Sequence, residues 1–168
     1  MGYRDIFDPN EVITMVEPVG ASGNVTTIGD YFPLHSANFL AAEAVGEGDW
    51  VAISTADGNM MEIILTSTTV AEDIAIGCVM GVHAGGVPTA YAIGDVVPVM
   101  LKGGHPWAKT VDVGAVGDVI VRSSTAGEGA ADTPAATQFA GAVLGHMMTL
   151  SDTVDTGEFR CYAWVNPG

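Results

Sequence analysis

Gly48-Asp49-Trp50-Val51 is the most informative part of the sequence, because the same kind of phrase recurs along the chain. Gly-Asp opens a Val-rich segment again at Gly94-Asp95-Val96-Val97 and at Gly117-Asp118-Val119-Ile120. Glycine adopts positive φ freely and an aspartate side chain bonds nearby backbone groups, so each Gly-Asp pair predicts a tight turn. Valine and isoleucine then favour the pleated conformation. The phrase therefore predicts a turn followed by a strand.

A second pattern, a small Gly-x-Val-x-Gly box, follows the first and the last of these phrases. The two boxes read Gly77-Cys78-Val79-Met80-Gly81 and Gly141-Ala142-Val143-Leu144-Gly145. Phrase and box together make a passage that the chain contains twice. We therefore expect short strands and tight turns, with no helical scaffold to carry a conventional active site.

Alternating apolar residues between turn signals predict further strands. The predicted strands are Trp50–Ser54, Met60–Leu65, Gly77–His83, Thr89–Ile93, Val96–Leu101, Asp118–Arg122, Gly141–Met147 and Glu158–Val165. Asp57-Gly58 predicts a hairpin between the first two of them. Pro98 predicts an edge strand or a bulge, since proline cannot donate to a sheet ladder. Small residues over Ser123–Thr137 predict a solvated loop. The fold class is thus all-β, a small barrel or sandwich of short strands.

The N-terminal part differs from the rest. Residues 1–45 are predicted to form an extended arm and lead-in, and residues 46–168 the β-rich domain. A short helix over Leu34–Ala44 is one interpretation of near-helical apolar spacing. The arm is either a frayed tail or edge strand, or a segment whose apolar side chains become buried on a partner. For the second interpretation, the contact residues are Tyr3, Arg4, Ile6, Phe7, Val12 and Ile13.

Charge limits the partners. The chain has 20 acidic and 5 basic residues and a formal net charge of −15, and Arg4 is the only basic residue before Lys102. Such a surface repels phosphate backbones and anionic lipids, which argues against nucleic-acid and membrane binding. It favours solubility and either a basic partner or a saline habitat. The start of the chain shows no signal sequence, so we expect folding in a cytosol.

No pattern indicates catalysis. The serines form no Gly-x-Ser-x-Gly elbow, and the four histidines form no metal-binding spacing. No calcium-binding loop or phosphate-binding glycine loop is present. Cys78 and Cys161 lie in apolar segments, where we expect free thiols. We therefore predict no catalytic residues, no metal site and no cofactor.

One segment departs from the acidic composition. Residues 102–109, Lys102-Gly103-Gly104-His105-Pro106-Trp107-Ala108-Lys109, hold two of the five basic residues and a tryptophan. Two interpretations stay open. Trp107 either folds back onto the core from a surface loop, or it anchors an interface in which Lys102 and Lys109 reach acidic neighbours.

The order of these elements resembles that of the small capsid decoration, or cement, proteins of tailed bacteriophages. The stretches that carry the likeness are Gly48–Leu65, Ile76–Gly81, Ile93–Met100, Gly117–Arg122, Phe139–Gly145 and Phe159–Val165. The resemblance implies a structural virion protein, assembled in the host cytoplasm, that binds the outer surface of an assembled capsid. It also implies the major capsid protein as partner, homotrimers, and no catalysis. The alternative is a non-viral acidic β-sandwich module that binds a carbohydrate or a protein.

Overall fold

The computed structural model describes residues 32–53, 61–67, 73–81, 89–132, 143–149, 152–153 and 159–167. Within these ranges the protein is all-β, as predicted, and contains no helix. The strands are β1 (Phe32–Ala41), β2 (Val45–Gly46), β3 (Trp50–Ile53), β4 (Glu62–Leu65), β5 (Ile74–Val79), β6 (Ala90–Tyr91), β7 (Val96–Thr110), β8 (Val119–Arg122), β9 (Gly129–Asp132), β10 (Val143–Met147), β11 (Asp152–Thr153) and β12 (Phe159–Val165).

Strand pairing closes twice on the long strand β7. The order β1-β4-β3-β5-β7 closes because β7 also pairs with β1, and we call these strands the first barrel. The order β7-β9-β8-β10-β12 closes in the same way through the β12–β7 pairing, and we call it the second barrel. Neighbours are antiparallel except β1–β4 and β7–β9, which are parallel. Strand β7 is therefore the wall that the two barrels share.

The core has two parts, one on each face of that wall. Consecutive residues of one strand belong to different clusters: Val99 packs inside the first barrel, while Met100 packs with the second. Trp50 and Val51 of β3 divide in the same way, because side chains alternate between the faces of a strand. Burying each such large side chain contributes about 2 kcal/mol. One face of the first barrel thus completes the core of the second.

The Gly-Asp turns form as predicted and share one geometry. The glycines have positive φ: +88° at Gly48, +85° at Gly94 and +95° at Gly117. Each aspartate N–H donates to the carbonyl three residues earlier, and its Oδ2 accepts from that residue's N–H. The N···Oδ2 distances are 2.6 Å for Gly46–Asp49, 2.7 Å for Ala92–Asp95 and 2.7 Å for Ala115–Asp118. With negative φ at the second position, these are type II turns.

Equivalent backbone bonds show that the two barrels are structural repeats. Gly48 N–H donates to Val79 O (2.9 Å), and Val79 N–H donates to Asp49 O (2.8 Å). Gly117, Met147 and Asp118 repeat both bonds at 2.9 and 2.8 Å. Strand β1 of the first barrel and the second half of β7 in the second barrel are also equivalent. Strand β1 is parallel to β4 and antiparallel to β7. The second half of β7 is parallel to β9 and antiparallel to β12. The repeated passage in the sequence therefore encodes a repeated barrel.

The Gly-x-Val-x-Gly boxes do not align with each other as the sequence suggests. Gly77, the first residue of its box, corresponds to Gly145, the last residue of the other. A Cβ on Gly77 would lie 2.0 Å from Met100 O, and one on Gly145 would lie 2.2 Å from Trp164 O. Both glycines lie inside a strand that passes close to a neighbouring carbonyl. Backbone approach, rather than the spacing of the box, determines which glycines are equivalent.

The predicted helix over Leu34–Ala44 is wrong. Residues 32–41 form β1, whose residues pair with β7 along most of its length, from Phe32↔Gly104 to Leu40↔Val96. Pairing on a closed barrel outweighs the weak helical spacing of the apolar residues. The barrel also begins inside the segment assigned to the arm, since β1 and Val45 precede residue 46.

Pro98 does not mark an edge. Strand β7 is paired with β1 on one side and β5 on the other at this point. Met80 N–H donates to Pro98 O (2.8 Å), but proline has no N–H to return the bond. The Tyr91 hydroxyl donates to Met80 O instead, at 2.8 Å. A side chain replaces the missing donor, which is why proline is tolerated in a central strand.

Two predicted loops contain strands. Residues 102–109 lie within β7, and Gly129–Asp132 of the predicted 123–137 loop forms β9. Glycine and small residues look like loop signals, but here they fit beside closely packed neighbours: a Cβ on Gly104 would lie 2.1 Å from the Tyr162 hydroxyl. Cys78 and Cys161 are free and buried, as expected.

Candidate functional site

A group of charged side chains lies where the two barrels meet, at a contact that we call the joint. We call it the buried charged cluster: Glu47 and Asp49 from the first barrel's Gly-Asp turn, Lys109 from β7, and Arg160 from β12, with His105 beside them. Glu47 is fully buried, and Asp49 and Arg160 are 7% and 4% exposed. Burying a charged group costs free energy unless the group is paired and hydrogen-bonded, so the partners of each buried charge determine whether the cluster is stable.

Asp49 and Lys109 form an ion pair across the joint. The Lys109 Nζ lies 2.6 Å from Asp49 Oδ1, while Oδ2 accepts from Gly46 N–H. Burial raises the pKa of Asp49, and the Lys109 charge offsets part of that rise. Lys109 N–H also donates to Gly48 O at 2.9 Å. The turn is thus bound to β7 by both backbone and side chain.

Arg160 binds the same turn from β12. Its Nη1 donates to Glu47 O (2.7 Å) and to Trp107 O (3.1 Å). A guanidinium presents several donors in a fixed plane, which allows it to bridge two carbonyls on different segments. Bonds to an ionised donor are stronger than neutral ones. Arg160 therefore joins the first barrel's turn to the shared strand.

His105 is a fully buried imidazole held in one protonation state. Its Nε2 lies 2.7 Å from Val79 O, and its Nδ1 accepts from Trp107 N–H at 3.1 Å. Because a carbonyl only accepts, Nε2 carries the hydrogen and the ring is neutral. Burial lowers the pKa of His105 to about 4. Protonating Nδ1 would also place two donors against each other.

This geometry predicts a loss of stability in mild acid. The unfolded chain takes up the proton near pH 6.5, whereas folded His105 does so only at about 4, so its contribution is complete above pH 6.5 and is lost as pH falls. Between pH 7 and pH 5 we expect the free energy of unfolding to fall by about 2 kcal/mol from this group. Urea unfolding of wild type and His105→Gln at both pH values measures the difference.

His146 supplies the control, because its side chain is exposed on β10. His146→Gln makes the same substitution at a surface position and should change the free energy of unfolding at pH 7 by less than about 0.5 kcal/mol. An NMR titration of the His105 ring should show a midpoint near 4. A midpoint above 6 would show that the ring is not held neutral by burial.

The structure changes the placement of two predicted contact residues. Trp107 is 6% exposed and packs as the core interpretation expected, while Lys109 is engaged with Asp49. Lys102 is exposed on the outer face of β7, and its contact role stays a prediction. Tyr3, Arg4, Ile6, Phe7, Val12 and Ile13 lie outside the described residues.

Sequence reasoning missed Glu47, Asp49 and Arg160 as members of one site. Glu47 and Arg160 are 113 residues apart, and only the closure of the second barrel brings them together. One signal was available: Gly48-Asp49 is preceded by glutamate, whereas the other two Gly-Asp pairs follow Ile93 and Val116. An extra charge beside one of three repeated turns marks it as different.

In the ranges that the structure describes, no group of three His, Cys, Asp or Glu side chains could hold a metal ion. The same ranges contain no helix that is long and apolar enough to cross a membrane. No protein-family model matches the sequence, and no curated protein matches it significantly.

Proposed function

We propose that this chain is a capsid decoration protein: it binds the outer face of an assembled bacteriophage capsid and clamps neighbouring capsid subunits. The major capsid protein is its partner, and the virion surface is its location. No step of catalysis is required of it. Binding only the assembled shell stabilises that state by mass action.

The observation that supports this proposal most is that the side chains of the buried charged cluster hold the two barrels together. The Lys109 ammonium and the Arg160 guanidinium bind the first barrel's turn, and the His105 imidazole bonds to Val79 O. The Glu47 carboxylate accepts from Thr89 N–H beside the turn. These groups, the strongest candidates for chemistry in the described chain, fix two barrels as one unit. A rigid double barrel suits a protein that must resist being pulled apart on a pressurised shell.

Charge and sequence support the same role. A net charge of −15 keeps the free protein soluble and away from packaged DNA. The sequence resemblance to cement proteins covers both barrels. Many weak contacts to several shell subunits would then act together.

The alternative, a non-viral acidic β-sandwich module that binds a carbohydrate or a protein, receives less support in its carbohydrate-binding form. Such a module needs exposed aromatic rings on one face. Trp50 is fully buried and Trp107 is 6% exposed, so neither is available to a sugar. Both rings pack in the interior instead, where Trp50 Nε1 donates to Lys109 O at 3.0 Å.

Co-sedimentation with shells tests the proposal. The purified protein should pellet with assembled, expanded capsids and not with unassembled capsid protein. Deleting residues 1–15, which removes Tyr3, Ile6, Phe7, Val12 and Ile13, should leave the barrels folded by circular dichroism but weaken shell binding at least tenfold.

The results for the truncated and the intact chain test the role of the arm and the proposed function independently. Full binding by the truncated chain would rule out the arm as a capsid contact while leaving decoration in place. Failure of the intact chain to bind expanded shells would overturn the proposed function itself.

A further inference from the structure

The joint between the barrels is a contact between two defined surfaces. In the joint, the turn Gly46–Asp49 of the first barrel covers one cross-strand pair of the second, Lys109↔Arg160. Because the barrels are repeats, each partner in this joint has an equivalent elsewhere.

The equivalent of the covered pair is open. Leu40↔Val96 is the cross-strand pair of β1 and β7 that matches Lys109↔Arg160 of β7 and β12. Leu40 is 40% exposed and Val96 is 60% exposed. Two more exposed apolar residues adjoin them: Ile93 on the turn before Val96, and Met61, whose carbonyl accepts from Leu40 N–H. We call these four residues the apolar pair face.

The equivalent of the covering turn is open too. Ala115–Asp118 has the same type II geometry as Gly46–Asp49. A Cβ on Gly117 would meet no atom within 4 Å, whereas one on Gly48 would meet Trp107 O at 2.0 Å. Val116 is 64% exposed. The outer side of the turn Ala115–Asp118 is therefore not covered by any part of the described chain.

The two open surfaces differ from the joint in the same way. In the joint, an acidic turn meets two cations. At the open surfaces, Val116 replaces Glu47 on the turn, and Leu40 and Val96 replace Lys109 and Arg160 on the pair. Asp118 keeps the place of Asp49, and its Oδ2 accepts from Ala115 N–H within the turn. The residue that differs in character is Val116, so an exposed valine faces an exposed apolar pair where the chain could meet a copy of itself. The residue on the turn and the residues on the pair therefore match each other in chemistry at both places.

We propose that the turn Ala115–Asp118 of one copy docks on the apolar pair face of a second copy, which continues the order of barrels head to tail. The contact joins different surfaces of the two copies, so it either closes into a ring or extends. It is independent of the proposed function, because it concerns the purified protein alone.

This contact is made by side chains. Leu40 N–H is bonded to Met61 O at 2.8 Å, so it cannot repeat the Lys109 N–H bond to Gly48 O. Each copy carries a charge of −15, so the apolar contact must overcome repulsion. Added salt screens that repulsion, and association should therefore strengthen as ionic strength rises.

Sedimentation velocity over a concentration series tests the contact. Wild type should self-associate, more strongly in 0.5 M than in about 0.05 M salt. Val116→Asp, on the turn, and Val96→Asp, on the face, should each weaken association at least tenfold. Ile74→Asp is the matched control, because Ile74 is 54% exposed on β5 and belongs to neither surface. Ile93→Asp replaces Val96→Asp should the latter not fold.

Mixing the two variants gives the sharpest result. Each retains one intact surface, so the mixture should form a one-to-one heterodimer and nothing larger. A wild type that is monomeric at every concentration and salt overturns the inference, as does association that both variants retain. Association that appears only after residues 1–31 are removed would assign the face to that segment and overturn it equally.

Discussion

Replacing Gly48 by alanine is expected to lower the free energy of unfolding by about 3–5 kcal/mol. Two effects add. The positive φ of +88° strains any residue with a Cβ, and that Cβ would lie 2.0 Å from Trp107 O and 2.6 Å from Arg160 Nη1. A backbone carbonyl in a paired strand cannot move aside cheaply. The joint must open, and urea unfolding followed by circular dichroism measures the cost.

Gly117→Ala is the matched control. Gly117 occupies the same turn position in the second barrel, with a φ of +95°, and no atom lies within 4 Å of its Cβ position. Gly117→Ala should lower the free energy of unfolding only through the strain of the positive φ, by about 1–2 kcal/mol. The difference between the two variants therefore reports the packing of the joint. Equal losses would contradict the close approach of the first turn to β7.

Replacing Lys109 by methionine should destabilise the protein by about 2–4 kcal/mol, because it leaves the Asp49 carboxylate buried without its cation. The Lys109 and Asp49 side chains are 16% and 10% exposed, so we expect this ion pair to contribute more to stability than a salt bridge on the surface does. Without Lys109, the pKa of Asp49 should rise further, so the loss should shrink in acid. Thermal and urea unfolding at pH 7 measure it.

Two variants control this prediction. Lys102→Met changes the same residue type on the same strand, but Lys102 is exposed, so we expect a change within about 0.5 kcal/mol. Asp49→Asn added to Lys109→Met should recover much of the loss, since the amide oxygen still accepts from Gly46 N–H. A double variant as unstable as Lys109→Met would contradict the role given to the buried charge.

Much of the fold could be predicted from local chemistry. Gly-Asp before valine specifies a type II turn and a strand in three places, because glycine permits the positive φ and the aspartate closes the turn. The long strand β7 could not be predicted in the same way. Pro98 and Gly104 look like interruptions. The Tyr91 hydroxyl replaces the donor that Pro98 lacks, and Gly104 leaves room for the Tyr162 side chain.

The candidate site was harder to predict than the fold. Lys109 was singled out because cations are scarce in this chain, and the structure places it in the buried charged cluster. Its partners come from distant positions, and nothing local to Arg160 or His105 indicates them. Non-local pairing of β12 with β7 brings them together. Only the topology of a closed barrel contains that information.

The proposed role on the capsid surface is best tested by the copy number of this chain in purified particles from its source. Quantitative mass spectrometry or gel densitometry against the major capsid protein gives the ratio. A protein that engages the whole shell surface should be present at about one copy for each capsid subunit. Absence from the particles, or only a few copies in each, would contradict it.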